Sequence, residues 1–463
     1  MIRTATVVLA AVLSLCSAVL ARGAEPTGHT VRWPVSEYKL ANGMHIIVRE
    51  DHRAPVAVSQ VWYRVGSSYE QSGFTGISHL LEHMMFKGTT KHPPGEFSRI
   101  IARNGGRQNA FTGRDYTSYF QQLAADRLGI AFRLEADRMQ HLTLAAQELA
   151  KERQVVLEER RMRITDQPRS LFGEHFDTIA FPASPYARPV IGWQEDIEKL
   201  SVEDLRSWYA KWYAPGNALL VVVGDVQPKR VFDLARETFG KVPARSTPQP
   251  RGDDYLQAPG ERRLVMRSKD VKVPYVLLGY QVPSMATARQ RDEIYALMVL
   301  ASILDGGKGA RLSQELVRDQ GIAASAGAGY SGLERLDTLF LLDAVPTGGH
   351  GATPLIKALR EQVQQLQSKP VEAEALERAK NLLLADHLYQ LDSMFYQAMQ
   401  IGMLETIGLD WHILQAYPAK IRAVSAASVQ EVARKYLTPN RLTVGILLPQ
   451  AQHTGGGEKG RDS

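Results

Sequence analysis

The stretch TGISHLLEHMMFKGT, residues 75–89, decides how the rest of the chain is read. Taken as a helix, it lines Ile77, Leu80, Leu81, Met84 and Met85 along one face, in the i, i+3, i+4, i+7 rhythm of a side packed on a core. His79, Glu82, His83 and Phe86 fall on the other face. Two imidazoles four residues apart on one helical face point at a common spot, the arrangement a divalent metal requires. Glu82 lies between them, one turn from His79, where its carboxylate can handle a water proton. A catalytic zinc takes three protein ligands and keeps a fourth position open, so a third ligand has to come from another part of the chain.

Composition limits what that ligand can be. Cys16 is the only cysteine of the 463 residues, and it lies in a leader-like segment. Arg3 precedes an apolar run from Ala5 to Leu20, followed by small residues at Ala21, Gly23 and Ala24. That is the build of a secretory signal, cleaved after Ala21 or Gly23, and residues 1–24 are set aside from the fold. Leu15 stands before Cys16 where a lipid-modified start requires a small residue. The exported chain is then free of cysteine and has no stable membrane span, which excludes disulfides and thiolate ligands and suits a periplasm. The third ligand must be His, Asp or Glu, and the Glu-rich helical stretch at 148–159 is the natural source.

Hydrophobic residues at 44% and charged residues at 22% describe a globular protein long enough for two domains. The net charge of +6 comes with no basic run interleaved with aromatics, which argues against nucleic-acid binding.

Working outward from the helix, VRWPVSEYKLANGMHIIVRE (31–50) reads as a hairpin about Asn42-Gly43, and 57–66 as a further strand. The segment 108–123 is strand material, 126–140 is an amphipathic helix, and a long helix runs from Ala145 to about Met162. The Pro- and Gly-rich section from Pro168 to Gly192 reads as loop. Residues 242–260 carry four prolines and no hydrophobic periodicity, and mark a linker. Beyond it the pattern repeats. KWYAPGNALLVVVGD has a counterpart in RKYLTPNRLTVGILL, with Tyr213 and Asn217 spaced as Tyr436 and Asn440 are. The expected fold is α+β, two homologous domains, each an antiparallel-rich sheet covered by helices. The expected boundaries are 32–243 for the metal-binding domain, 244–260 for the linker, 261–449 for its homologue and 450–463 for a disordered tail.

HLLEH together with KERQVVLEE some 75 residues downstream resembles the pitrilysin/insulinase family of inverted zincins. So do HMMFKGT, GGRQNAFTGRDYTSY, PYARPVIGW and LDGGKGARLSQEL, and the likeness is to the short two-domain type typified by mitochondrial processing peptidase beta subunits. The resemblance implies a zinc metalloendopeptidase with one Zn(2+) per chain, acting on short or unfolded peptides in a clamshell chamber. It implies His79 and His83 as ligands and Glu82 as general base. Spacing leaves Glu158 and Glu159 open as third ligand. The family's E-R-x-x-V-x-x-E pattern reads here as Glu152, Arg153, Val156, Glu159, and a separation of seven keeps the two carboxylates on one face. Glu159 is then the ligand and Glu152 its companion in the catalytic machinery. The family's substrate joins a sheet edge, matched here by Asn109, Ala110 and Phe111.

The chain departs from the family in one place. Single-subunit relatives carry an Arg and, seven residues on, a Tyr in the second half; in QELVRDQGIAASAG those positions are Val317 and Ala324, or Arg318 and Ser325 one residue along. Neither register restores the pair. The expected partner is a paralogous subunit without the zinc motif that supplies the Arg and Tyr, forming a heterodimer. The alternative is a non-catalytic, peptide-binding or scaffold subunit of the same fold.

Overall fold

The computed structural model describes residues 33–248 and 259–450. The segment read as a signal, residues 249–258 of the linker and residues 451–463 of the tail lie outside the described residues.

The apolar runs of the first half pair into a six-stranded sheet. Its strands are β1 (Val35–Lys39), β2 (His45–Glu50), β3 (Val56–Tyr63), β4 (Arg107–Thr112), β5 (Thr117–Ala124) and β6 (Ala218–Gly224), in the order β1-β2-β6-β3-β5-β4. β6 (ALLVVVG) is buried along its whole length, as a central strand covered on both faces must be. The expected hairpin of β1 and β2 is present. Gly43 closes its turn at φ +94°, a conformation open to glycine, and the Asn42 amide donates to the Phe239 and Val242 carbonyls.

The second half forms a five-stranded sheet of β7 (Arg262–Ser268), β8 (Tyr275–Val282), β9 (Ala323–Tyr330), β10 (Thr338–Pro346) and β11 (Leu442–Pro449), in the order β7-β11-β8-β10-β9. With β1 set aside, the first sheet has the same order. In both, one parallel pair (β2 with β6, β7 with β11) adjoins a run of antiparallel strands. The repeat read around residues 220 and 440 falls on the equivalent strands β6 and β11. The fold is therefore α+β, with two mixed sheets covered by helices.

One expectation is overturned. Residues 168–180 are not loop but a helix, Pro168–Ala180, with Pro168 in its first turn where a missing N–H is harmless. Its buried Phe172 and Phe176 pack on the second sheet, against Gly445 and Gly279, where any Cβ would strike the phenyl rings. The exchange is reciprocal. Helix Met394–Thr406, from the second half, packs on β3 and β6, with Gly402 beneath the Trp62 indole. Each sheet is covered on one face by a helix whose sequence lies in the other half.

Candidate active site

Helix Ile77–Met84 buries Ile77, Leu80, Leu81 and Met84, with Met85 after it, in the core over the first sheet. That fixes its rotation and turns His79, Glu82 and His83 toward a cavity of about 640 Å³. Its N-terminus is held by the fully buried Glu70, which accepts the Gly76 and Ser78 backbone N–H groups at 2.8 and 2.9 Å. Burial pushes this carboxyl up to about 7, against the pull of those two donors. Gly76 itself sits at φ +82°, pressed on the backbone of Ile191 and Gly192, so a side chain there meets both strain and a wall.

The long helix, Ala146–Arg160, packs beside it and supplies the third donor. Glu159 Oε2 lies 3.8 Å from His79 Nε2 and 3.4 Å from His83 Nε2. Among the described residues, these three form the one group of His, Cys, Asp or Glu side chains close enough together to hold a metal ion. Zinc bonds of roughly 2.0–2.2 Å in a tetrahedron put neighbouring ligand atoms about 3.3–3.6 Å apart, close to the two separations from Glu159, so the donor set fits zinc. Burial, with His83 and Arg163 nearby, holds the His79 imidazole down to about 3, so it stays neutral with a lone pair to offer. Glu158 points into solvent and pairs with Arg161.

Glu152 does not line the cavity. It stands behind His83, with Oε2 3.2 Å from Nδ1, while its other oxygen is 2.6 Å from Lys87 Nζ. With Nε2 facing the metal position, Nδ1 carries the proton and donates to Glu152, which fixes the tautomer and ring plane. Glu82 is held by Thr112, whose hydroxyl donates to Oε2 at 2.5 Å; burial raises this carboxyl, opposed by the Thr112 bond.

Asn109, Ala110 and Phe111 line the same cavity from β4, the edge strand of its sheet. The Ala110 N–H is turned back on the Asn109 Oδ1 at 3.0 Å, so Asn109 covers a backbone group that an added strand would use. The remaining wall includes Arg163, Ser170, Asp177 and the segment 187–191. The lining residues all lie between His79 and Ile191, so the second half gives this cavity no wall among the described residues. Arg318 is engaged with Gln314, and Ala324 and Ser325 stand on β9.

Four contributors escaped the sequence reading. Lys87 follows His83 by four residues, and that spacing was a usable signal. Thr112 is two residues beyond Ala110 and so shares its face of the strand. Glu70, and Arg163 bonded to Glu159 Oε1 at 2.6 Å, carried no pattern of their own.

Comparison with known proteins agrees with this geometry. A family model described as Insulinase (Peptidase family M16) matches residues 45–193, and one described as Peptidase M16 inactive domain matches residues 199–383. The zinc protease PqqE of Helicobacter pylori is 32% identical over 419 residues, covering 89% of this chain and 92% of that protein. The uncharacterized zinc protease YmxG of Bacillus subtilis is 26% identical, covering 87% and 96%. The crystal structure of a protease from Helicobacter pylori superposes with a TM-score of 0.84 at 29% identity, over 90% of this chain and all of that one. The first half of the periplasmic protease PqqL from Escherichia coli shares the fold, with a TM-score of 0.76 at 18% identity over 90% and 92%. From the inverted zinc motif, the two paired matches and these relatives, the chain belongs to the insulinase family of peptidases, M16.

Proposed function

We propose that this chain is a zinc-dependent metalloendopeptidase that hydrolyses short or unfolded peptides, exported to the periplasm and acting as the catalytic subunit of a heterodimer. The observation that carries the reading is the meeting of His79, His83 and Glu159 in one cavity with Glu82 and the β4 edge. His79 Nε2, His83 Nε2 and Glu159 Oε2 would hold the zinc; zinc as the metal is supported by relatives named zinc proteases. Lewis acidity toward a peptide carbonyl and an acidified water are what zinc supplies at such a position.

The chain's own residues do the rest. Glu82 accepts a water proton and delivers it to the leaving amine, with Thr112 fixing one oxygen so that the other is presented to the water. Glu152 and Lys87 keep His83 in the tautomer with Nε2 free. The β4 edge binds an extended peptide through main-chain hydrogen bonds once Asn109 releases the Ala110 N–H. Pairing of that kind reads backbone, so an unstructured chain is preferred and a folded one excluded. The reading takes the two sheets as two duplicated domains, 32–243 and 261–449.

Two observations support a partner: among the described residues none of the second half lines the cavity, and the family's Arg/Tyr pair is missing. Export rests on the leader sequence. Among the described residues no helix is long and apolar enough to cross a membrane.

The second reading, a non-catalytic subunit that binds peptides without cleaving them, is favoured by that same missing pair. Glu82→Gln separates the two. On the enzyme reading it keeps zinc and loses cleavage of an unstructured peptide, assayed alone and with co-purified partner. A wild type that binds zinc and peptide, yet shows no metal-dependent hydrolysis in either setting, leaves the second reading.

A further inference from the structure

Asp115 lies in the turn between β4 and β5, 1% exposed, and it collects more partners than a turn residue needs. Its Oδ1 accepts from Ser68 Oγ at 2.7 Å and from Arg335 Nε at 3.0 Å; its Oδ2 accepts the Tyr186 hydroxyl. The partners come from three separate segments around the site. Ser68 is in the turn of helix that leads to Glu70, the clamp on the metal-site helix. Tyr186 begins the segment whose next residues, 187–191, line the cavity. Arg335 comes from the second half, in the loop between β9 and β10.

Arg335 closes the cluster from outside. Its Nη2 donates to Ser68 Oγ at 3.0 Å, its guanidinium lies 4.6 Å from the Tyr69 ring centroid, and its backbone N–H and that of Leu336 donate to the Tyr186 hydroxyl at 3.1 and 3.2 Å. Ser67 and Ser68 also donate their backbone N–H groups to the carbonyls of Gly113 and Arg114 in the same turn. A planar guanidinium with donors in a fixed fork suits such a multi-point grip, which an ammonium cannot reproduce.

We propose that Arg335 is a positioning residue for peptide binding at the β4 edge: by gripping Asp115 it holds the β4–β5 turn, and so the edge strand, in the place a bound peptide requires. This rests on the reading of β4 as the peptide-binding edge. The second half thus acts on the site without lining it. With the grip released, part of the peptide's binding energy goes into ordering β4. The loss therefore falls on KM, while the zinc ligands, on helices packed in the core, are unaffected.

The experiment measures kcat and KM on an unstructured peptide, zinc affinity by chelator competition, and backbone hydrogen exchange, in wild type, Arg335→Ala, Arg335→Lys and the double variant Asp115→Asn/Arg335→Met. In Arg335→Ala, KM rises about tenfold, the scale of one lost charge-assisted hydrogen bond, with kcat changed less than about threefold. Zinc affinity holds, and exchange quickens at residues 107–117. Arg335→Lys recovers part of the loss, because it keeps the charge and gives up the fork. The double variant, which leaves no unpaired buried charge, reproduces the KM change. An unchanged KM, or exchange that quickens evenly through the fold, overturns the assignment, as does failure of both Arg335→Ala and the double variant to fold. If the wild type cleaves nothing, the enzyme reading falls. The same variants then decide this inference by peptide dissociation constant, where a tenfold weakening supports it and no change overturns it.

Discussion

Replacing Glu152 by alanine tests whether zinc binding at the proposed site depends on a residue outside the set of candidate ligands. Glu152 Oε2 stands 3.2 Å from His83 Nδ1, and the geometry makes that an N–H donating to a carboxylate. A hydrogen bond to a charged group contributes about 1.5–3 kcal/mol, and loss of such a partner behind a metal-bound histidine weakens metal binding about 10–100-fold, or roughly 1.4–2.7 kcal/mol. The two figures agree. Lys87 moves the expectation to the upper end. Its ammonium, 2.6 Å from the other Glu152 oxygen, would be left uncompensated next to a site for a dication. The double variant Lys87→Met/Glu152→Ala should therefore bind zinc more tightly than Glu152→Ala alone, by about tenfold or less on the same scale. The assay is chelator competition with zinc, run in a Glu82→Gln background so that self-cleavage does not interfere. A Glu152→Ala dissociation constant within about twofold of the parent refutes the reasoning, because the tautomer of His83 would then be fixed by something else.

Thr112→Val removes the hydroxyl that holds Glu82 while keeping the side chain's shape. It should lower kcat about tenfold or more, at unchanged zinc affinity, in steady-state peptide assays. Gly402→Ala drives a Cβ into the buried Trp62 indole at the packing of helix Met394–Thr406 on the first sheet. Denaturant unfolding should show a loss of about 1–3 kcal/mol. The Glu70 carboxyl titrates near 7 in the folded chain against an ordinary 4.5, so the folded state holds that proton more firmly. Its contribution to stability is full below about 4.5 and is lost as pH rises through about 7, by up to ~3 kcal/mol. The difference in unfolding free energy between wild type and Glu70→Gln, both metal-free, should fall across that window; a flat difference contradicts it.

The helix Ile77–Met84 and its facing were legible because both signals are local. Leu80, Leu81 and Met84 repeat at helical spacing, and a helix that buries them has no choice about where His79, Glu82 and His83 face. Glu159 needed the phase of a second helix as well, and its separation of seven from Glu152 placed both toward His83, while Glu158 turned to Arg161. The same local reasoning failed at residues 168–180. The phenyl rings of Phe172 and Phe176 bury against Gly279 and Gly445, over a hundred residues onward, and no periodic signal near Pro168 reports a partner that far away.

The α+β repeat, the strand through Asn109 to Phe111 and the side chains available for chemistry were readable from the sequence, because strand and helix periodicity depend on neighbours a few residues apart; that this strand is an edge is a property of the assembled sheet. Only the tertiary structure decided which helices cover which sheet, that Thr112 holds Glu82, that Glu70 clamps the helix start, and that Arg335 reaches Asp115 across 220 residues. Those contacts join segments that become neighbours only when the chain closes, since a hydrogen bond is set by distance in space and leaves no period in the sequence.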